Sequence, residues 1–337
     1  VNEKNTLNLD DDLLKEIATR SESLGFAAEE MLLCPKCARK NPPNRLNCFY
    51  CAAELVVPSD KLLQAKFNFR RLESWEKGFN VIKIGQGNSS VHVDRQAAAR
   101  EVEFEVEVLE KILRSVSAVP LARVESEREA DLLSTRLANH GIETKIVSDE
   151  SFDLDRVPRR IRSVEFRDDL ITVTDFNTGE ITAIPPSDLV LIVSGTLIEL
   201  KTVSMEKRKR KKSQIIDQSE TSSDESVLDM YTSADRSGFR IYESGFDFSC
   251  LSDKSLLASE NMPKLLRKIA EVCPNAVLDE SYKGLQDALT TVWETDSSKD
   301  FQGLRRSGFG KADLSNVVTI SNRSQFTRYS RLQRQLI

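Results

Sequence analysis

Long apolar runs are missing from this sequence. The longest, such as Leu189 to Val193, are strand-sized, far short of the roughly 20 residues that cross a bilayer as a helix. Segment 1–12 is polar and acidic and lacks the basic-then-apolar order of a secretory signal. A cytoplasmic, reducing location is the expectation. Cysteine is scarce too: six in 337 residues are too few for a disulfide framework, and four of them fall in two CxxC pairs, which turns the reading toward metal. Histidine is scarcer still. His92 and His140 are the only two, and the chain has no GxSxG, HExxH, Walker or kinase signature. Asp168, Asp169 and Asp175 lie in or beside turns, where solvated carboxylates are expected. The chain is therefore read as a binder and not as an enzyme.

What is present is concentrated between Cys34 and Cys51, where the chain reads CPKCARKNPPNRLNCFYC, a C-x2-C-x10-C-x2-C arrangement. A two-residue gap lets both thiolates of a pair point at one ion from a tight turn, and the ten-residue gap is long enough to bring two such turns together. Cys34, Cys37, Cys48 and Cys51 are the expected ligands of one Zn2+. Four thiolates close a tetrahedral shell and leave no position for water, which makes the site structural. Pro35 stiffens the first turn, and Pro42 with Pro43 restricts the connection. CPKC, Asn41-Pro42 and NCFYC followed by Leu55 resemble the short bacterial zinc ribbon, with Ala38 and Ala52 standing where that family usually has glycine after each CxxC. Cys250 and Cys273, far apart among apolar neighbours, read as buried free thiols.

A chain of 337 residues exceeds one core of ordinary size, and the pattern predicts an α+β protein in several parts. Residues 1–33 read as an N-terminal helical segment, with Leu13, Leu14, Ile17 and Leu24 as an apolar stripe over 10–23. Residues 34–55 are the ribbon. Residues 56–155 form an α/β unit. There FNVIKI is a strand ended by Gly85, and Ala98, Val102, Val106, Leu109 and Leu113 are spaced for one helix over 93–115. The glycines of IGQGNSS between them make a strand-to-helix connection without a phosphate-loop lysine. Residues 119–147 follow as strand, helix and strand, with Ser126 and Glu129 as a capping box and Gly141 as the helix stop. The stretch PLARVESEREADLLSTRLANHGIETKIVSDE resembles the PII-like prokaryotic signal-transducing domain, which implies a ferredoxin-like βαβ unit.

From 160 to 295 the patterning turns to period two in SVEF, LITVTDF, EITAI and LVLIVSGTLIEL. The polar segment 205–227, where KRKRKK precedes acids among serines and threonines, is expected to be a mobile loop. Strands resume at GFRIY, and the region is expected to be a C-terminal antiparallel β roll of the pleckstrin-homology-like kind, closed by a helix. Residues 296–337 read as a basic tail of little periodicity that packs across the surface or stays mobile.

A formal charge of −5 opposes chain-wide attraction to nucleic acid or acidic lipid. The tail is the exception. Within 304–337, Arg305, Arg306, Lys311, Arg323, Arg328, Arg331 and Arg334 stand against Asp313 alone, with Phe309, Phe326 and Tyr329 interleaved. Phosphate contact plus stacking needs that mixture, so a nucleic-acid-binding regulator using the ribbon and the tail is one reading. The leading expectation is a non-enzymatic zinc protein acting as a regulatory or adaptor module through protein–protein contacts. A closed metal module beside α/β and β-rich units, with no catalytic constellation, describes such a protein.

Overall fold

The computed structural model describes residues 26–27, 29–43, 45–57, 72–85, 93–167, 170–209, 212–308 and 311–337, and the side chains of 206–217 and 302–315 stand outside that description. The helix expected over 10–23, most of IGQGNSS, His92, Phe309 and the Asp168-Asp169 turn lie outside the described residues. The chain divides into two compact units, 1–70 and 71–337.

In the first unit, β1 (Leu32–Leu33) and β2 (Lys40–Asn41) pair antiparallel, with Leu32 opposite Asn41. A second hairpin closes through the bridge between Asn47 and Glu54 and the Leu55 N–H donating to the Leu46 carbonyl. Leu46, Leu55 and Val57 are the aliphatic side chains buried there.

The second unit starts with β3 (Phe79–Lys83), α1 (Arg95–Glu101), α2 (Val106–Arg114), β4 (Val119–Val124), α3 (Glu127–Asn139) and β5 (Thr144–Ser148). The single helix predicted over 93–115 is two. Glu103 takes a φ of 57° and breaks the run, and Val102 and Phe104 on either side of it are buried along with Ala98, Ala99, Leu109 and Ile112. The start of α3 follows the sequence signal: the Ser126 hydroxyl accepts from the Glu129 N–H and the Glu129 carboxylate accepts from the Ser126 N–H, both at 3.3 Å. Such caps contribute about 1 kcal/mol. β3 is the central strand, antiparallel to β4 and to β5, so the β4–α3–β5 crossover straddles it.

The remainder runs β6 (Arg159–Arg167), β7 (Leu170–Asp175), β8 (Ile181–Ile184), β9 (Leu189–Lys209), β10 (Lys212–Thr232), β11 (Phe239–Tyr242), α4 (Ala258–Val272), β12 (Val277–Asp279), α5 (Tyr282–Val292), β13 (Asp296–Gly308), β14 (Lys311–Ser321) and α6 (Arg323–Leu336). Its nine strands form one sheet in the order β13-β14-β9-β10-β11-β6-β7-β8, with β12 alongside β9. The sheet is mixed, whereas antiparallel pairing throughout was expected: β11 with β6 and β12 with β9 run parallel. α4, between β11 and β12, supplies the crossover that parallel strands need. On one sheet face Ile192, Leu228, Met230 and Ile241 pack with Met262, Leu265, Leu266 and Ile269 of α4. On the opposite face α5 and α6 lie against β9. Gly195 permits that approach, because a Cβ there would sit 2.4 Å from the Phe326 ring.

Two expectations change. Of segment 205–227, expected to be a mobile loop, residues 205–209 and 212–227 are strand: β9 and β10 are each 21 residues long and pair from Leu189↔Thr232 to Lys209↔Lys212, a span of about 70 Å. Pairing with β9 overrides a composition that by itself favours disorder. The tail is likewise built in, as β13, β14 and α6. In α6, Gln325, Phe326, Arg328, Tyr329, Ser330, Arg331, Leu332 and Gln333 are buried.

Candidate metal centre

Two copies of one backbone turn position the four cysteines. In the first, the Cys34 N–H donates to the Arg39 carbonyl at 3.0 Å and the Ala38 N–H to the Cys34 carbonyl at 2.9 Å. In the second, the Cys48 N–H donates to the Ala53 carbonyl at 2.7 Å and the Ala52 N–H to the Cys48 carbonyl at 2.9 Å. Each turn passes through the left-handed region at the same step, Ala38 at φ 54° and Ala52 at φ 57°. Glycine is the residue that adopts this region without strain, and alanine holds it at both steps despite its Cβ. The fully buried Asn41 ties the turns together: its amide NH2 donates to the Arg39 carbonyl and its Oδ1 accepts from the Phe49 N–H, both at 2.9 Å.

All four sulfurs lie within 4.8 Å of one another. Cys34 Sγ is 3.5 Å from Cys51 Sγ and Cys37 Sγ is 3.6 Å from Cys48 Sγ. A tetrahedron with metal–sulfur arms near 2.3 Å has edges of about 3.8 Å, so the four close sulfurs are suited to holding a metal ion. The electrostatics agree. The Cys37 amide, opposed by burial, helps hold the Cys34 thiol below its ordinary value. Burial also opposes ionisation of Cys48, but the Tyr50 and Cys51 amides and the Asn41 side chain bring its thiol to about 6. Cys37 goes the other way: although the Arg39 amide favours its thiolate, burial and the sulfurs of Cys51, Cys34 and Cys48 push it up to about 12. Four thiolates crowded together need a cation to share their charge, which a divalent metal would supply.

The other residues singled out by sequence are scattered. His140 caps the C-terminus of α3. Asp175 accepts from the Asn177 and Thr178 amides at 2.8 Å. Among the tail cations, Arg323 is exposed, whereas Arg328 and Arg331 are buried at 9% and 5% exposure. They donate inward, Arg328 to the Ser74 carbonyl and Arg331 to that of Arg156, while the half-buried Arg334 donates to the Thr232 carbonyl. Those three guanidinium groups serve the fold and do not form one phosphate-facing row. The side chains of Arg305, Arg306 and Lys311 lie outside the described residues. Cys273 is buried, its thiol pushed up to about 11, and the half-buried Cys250 is also raised by burial.

Sequence reasoning passed over two buried polar networks in the second unit. Asp229 accepts two bonds from Arg240, at 2.6 and 2.7 Å, with both side chains almost fully buried. Asn80 accepts from the Trp293 indole N–H at 2.8 Å and donates to Asp149 at 2.9 Å, and Asp149 also accepts from Arg123 at 2.8 Å. No local spacing marks either network, because the partners come from separate elements of the fold. No protein-family model matches the chain, and no curated protein or solved structure matches it significantly.

Proposed function

We propose that the chain is a non-enzymatic zinc protein, its metal held by Cys34, Cys37, Cys48 and Cys51, that acts as a regulatory or adaptor module through protein–protein contacts. The observation that carries the metal assignment is the mutual approach of four sulfurs on two equivalent turns. Zn2+ suits that donor set because thiolate is a preferred ligand and four of them complete its tetrahedral shell. With its shell filled, the ion serves a structural role and closes the two hairpins on each other.

The adaptor part of the reading is supported by the sheet extension. Residues 218–224 of β10 are exposed without a break, and Ile198, Met205, Phe301 and Ile320 on neighbouring strands are exposed apolar side chains. Exposed strands of this kind accept partner proteins by strand addition and apolar contact.

Elemental analysis of the purified full chain tests the metal assignment: one zinc per chain is expected, and none in the Cys34→Ser/Cys48→Ser variant. A metal-free wild type, or full zinc retention in the variant, overturns it. Proteins retained through a high-salt wash by the wild type, and lost on Phe301→Asp and Ile320→Asp, are the expected readout for the adaptor part. Retention unaffected by both substitutions counts against it.

A further inference from the structure

Beside the cysteines, the second turn of the ribbon presents Phe49 and Tyr50 at 70% and 53% exposure. Large aromatic side chains are ordinarily buried or half-buried, and here two consecutive ones are turned outward. They are not held there by apolar packing. Their backbone is fixed instead: the Phe49 N–H donates to Asn41 Oδ1 at 2.9 Å and the Tyr50 N–H to Cys48 Sγ at 3.4 Å. The rings meet edge to face, with centroids 5.5 Å apart and planes at 89°. A guanidinium group lies over each, Arg39 at 4.6 Å from the Tyr50 centroid and Arg45 at 5.2 Å from that of Phe49. Lys36 and Lys40 are exposed in the same module, and Glu54 is the one acidic residue between Cys34 and Val57.

We propose that this face, Phe49 and Tyr50 with Arg39 and Arg45, binds single-stranded nucleic acid. The inference rests on the metal assignment above, since zinc fixes the turn that carries both rings, and it adds a second class of partner to the protein contacts. Each arginine covers one face of a ring and the edge-to-face contact takes up a face of one ring, so the exposed pair offers a base one open aromatic face. Stacking on aromatic faces accepts any base, and cation–π contact from arginine adds to it. A base stacked there must leave its own helical stack, which a single strand allows and a paired duplex does not. The cations supply the phosphate contacts. An acidic peptide would satisfy the cations but would leave the two rings unused.

The test uses the full, zinc-loaded chain and fluorescein-labelled oligouridylate and oligothymidylate of about 12 nucleotides, a length within the usual single-strand site sizes. Anisotropy at low ionic strength should show binding of one or both, and the two probes separate RNA from DNA preference. Phe49→Ala and Tyr50→Ala should each weaken binding roughly 5- to 150-fold, while Tyr50→Phe binds within about threefold of the wild type. Arg39→Gln and Arg45→Gln should each lower the salt slope by about 1. Zinc content measured on the same samples separates the two readings: absent zinc overturns the metal assignment, whereas zinc present without oligonucleotide binding overturns this one. Unchanged binding in both alanine variants, or polyglutamate and duplex DNA bound as tightly as the single strands, overturns it as well.

Discussion

Between Leu32 and Val57 three aliphatic side chains are buried, Leu46, Leu55 and Val57, whereas the α4 face of the large sheet alone gathers its core from six strands, the loop after β11 and one helix. Burying one such side chain contributes about 1.5–3 kcal/mol, and ordering each backbone residue costs about 1–2 kcal/mol. Apolar burial alone falls short of ordering the ribbon's two turns, so a metal held by its sulfurs is expected to matter most there. The contrast teaches where each region is fragile: the ribbon at its sulfurs, the second unit at the few buried charges its core surrounds.

The sharpest way to break the comparison is to withdraw the metal. Structural zinc sites of this type contribute roughly 10–16 kcal/mol near neutral pH, far more than the ribbon's apolar contacts. Chelation, or Cys34→Ser/Cys48→Ser, should abolish amide-exchange protection over 32–57 while the amides of β3, β4, β9 and β10 remain protected. Protection over 32–57 that survives chelation would show that the ribbon is held by something other than its sulfurs.

Next in size is the charge pair under α6. Asp229 and Arg240 are buried at 0% and 3% exposure, and Tyr231 beside them donates to or accepts from Ser330 at 2.8 Å. Removing one partner leaves a buried charge unpaired, a loss of about 3–5 kcal/mol. Asp229→Ala should lower the stability of the second unit in urea by that amount and leave zinc content unchanged. A loss below about 1 kcal/mol would mean that Arg240 finds water when unpaired.

These two fragilities differ in how far the sequence reveals them. The cysteine cage was legible because ligand type and spacing are local and chemically narrow, and the Ser126–Glu129 cap for the same reason. α6 was not. Its apolar residues, Phe326, Tyr329 and Leu332, are three positions apart but outnumbered by arginine and glutamine. Those polar chains are buried because their partners are distant in sequence: Gln333 bonds both the N–H and the carbonyl of Ala118, and Gln325 donates to the Trp293 carbonyl at 2.9 Å. Composition cannot show such partners. β10 was misread for a related reason, since its Ser- and Glu-rich stretch is ordered by β9 and not by its own side chains. For the candidate site, the cysteines were foreseen and the roles of Asn41, Phe49 and Tyr50 were not.

A smaller effect sharpens the contrast from the side of the second unit. Lys83, at the end of β3, is 1% exposed and donates to the Ser115 carbonyl. Burial pulls its amine down to about 8 from an ordinary 10.5. The folded state therefore disfavours the charged amine, and the penalty is fully present below pH 8, where both states are protonated. It fades as pH rises toward 10.5, because the folded protein has already released the proton that the unfolded chain still binds. Lys83→Met should therefore stabilise at pH 7 by about 1–2 kcal/mol, after allowing for the lost hydrogen bond. Near pH 10 the advantage should shrink or reverse. A pH-independent difference between the two proteins would place the cause in packing instead of charge.

The smallest expected effect returns to the ribbon. Ala38 and Ala52 sit at φ 54° and 57°, a region that costs a residue with a Cβ roughly 1–2 kcal/mol and glycine almost nothing. Glycine also gives the unfolded chain more freedom, which returns part of the gain. Ala38→Gly should therefore tighten zinc by a net of about 0.5–1 kcal/mol, read as a two- to fivefold rise in the chelator concentration needed for half-removal. Ala52→Gly should match it, because the two turns share the same hydrogen bonds at the same offsets. Unequal responses would mean that only one turn bears backbone strain, and that the equivalence of the two cysteine pairs stops at their hydrogen bonding. A loss of affinity in both would mean that the alanine methyl groups support the turns by packing, and that this support outweighs the left-handed backbone strain.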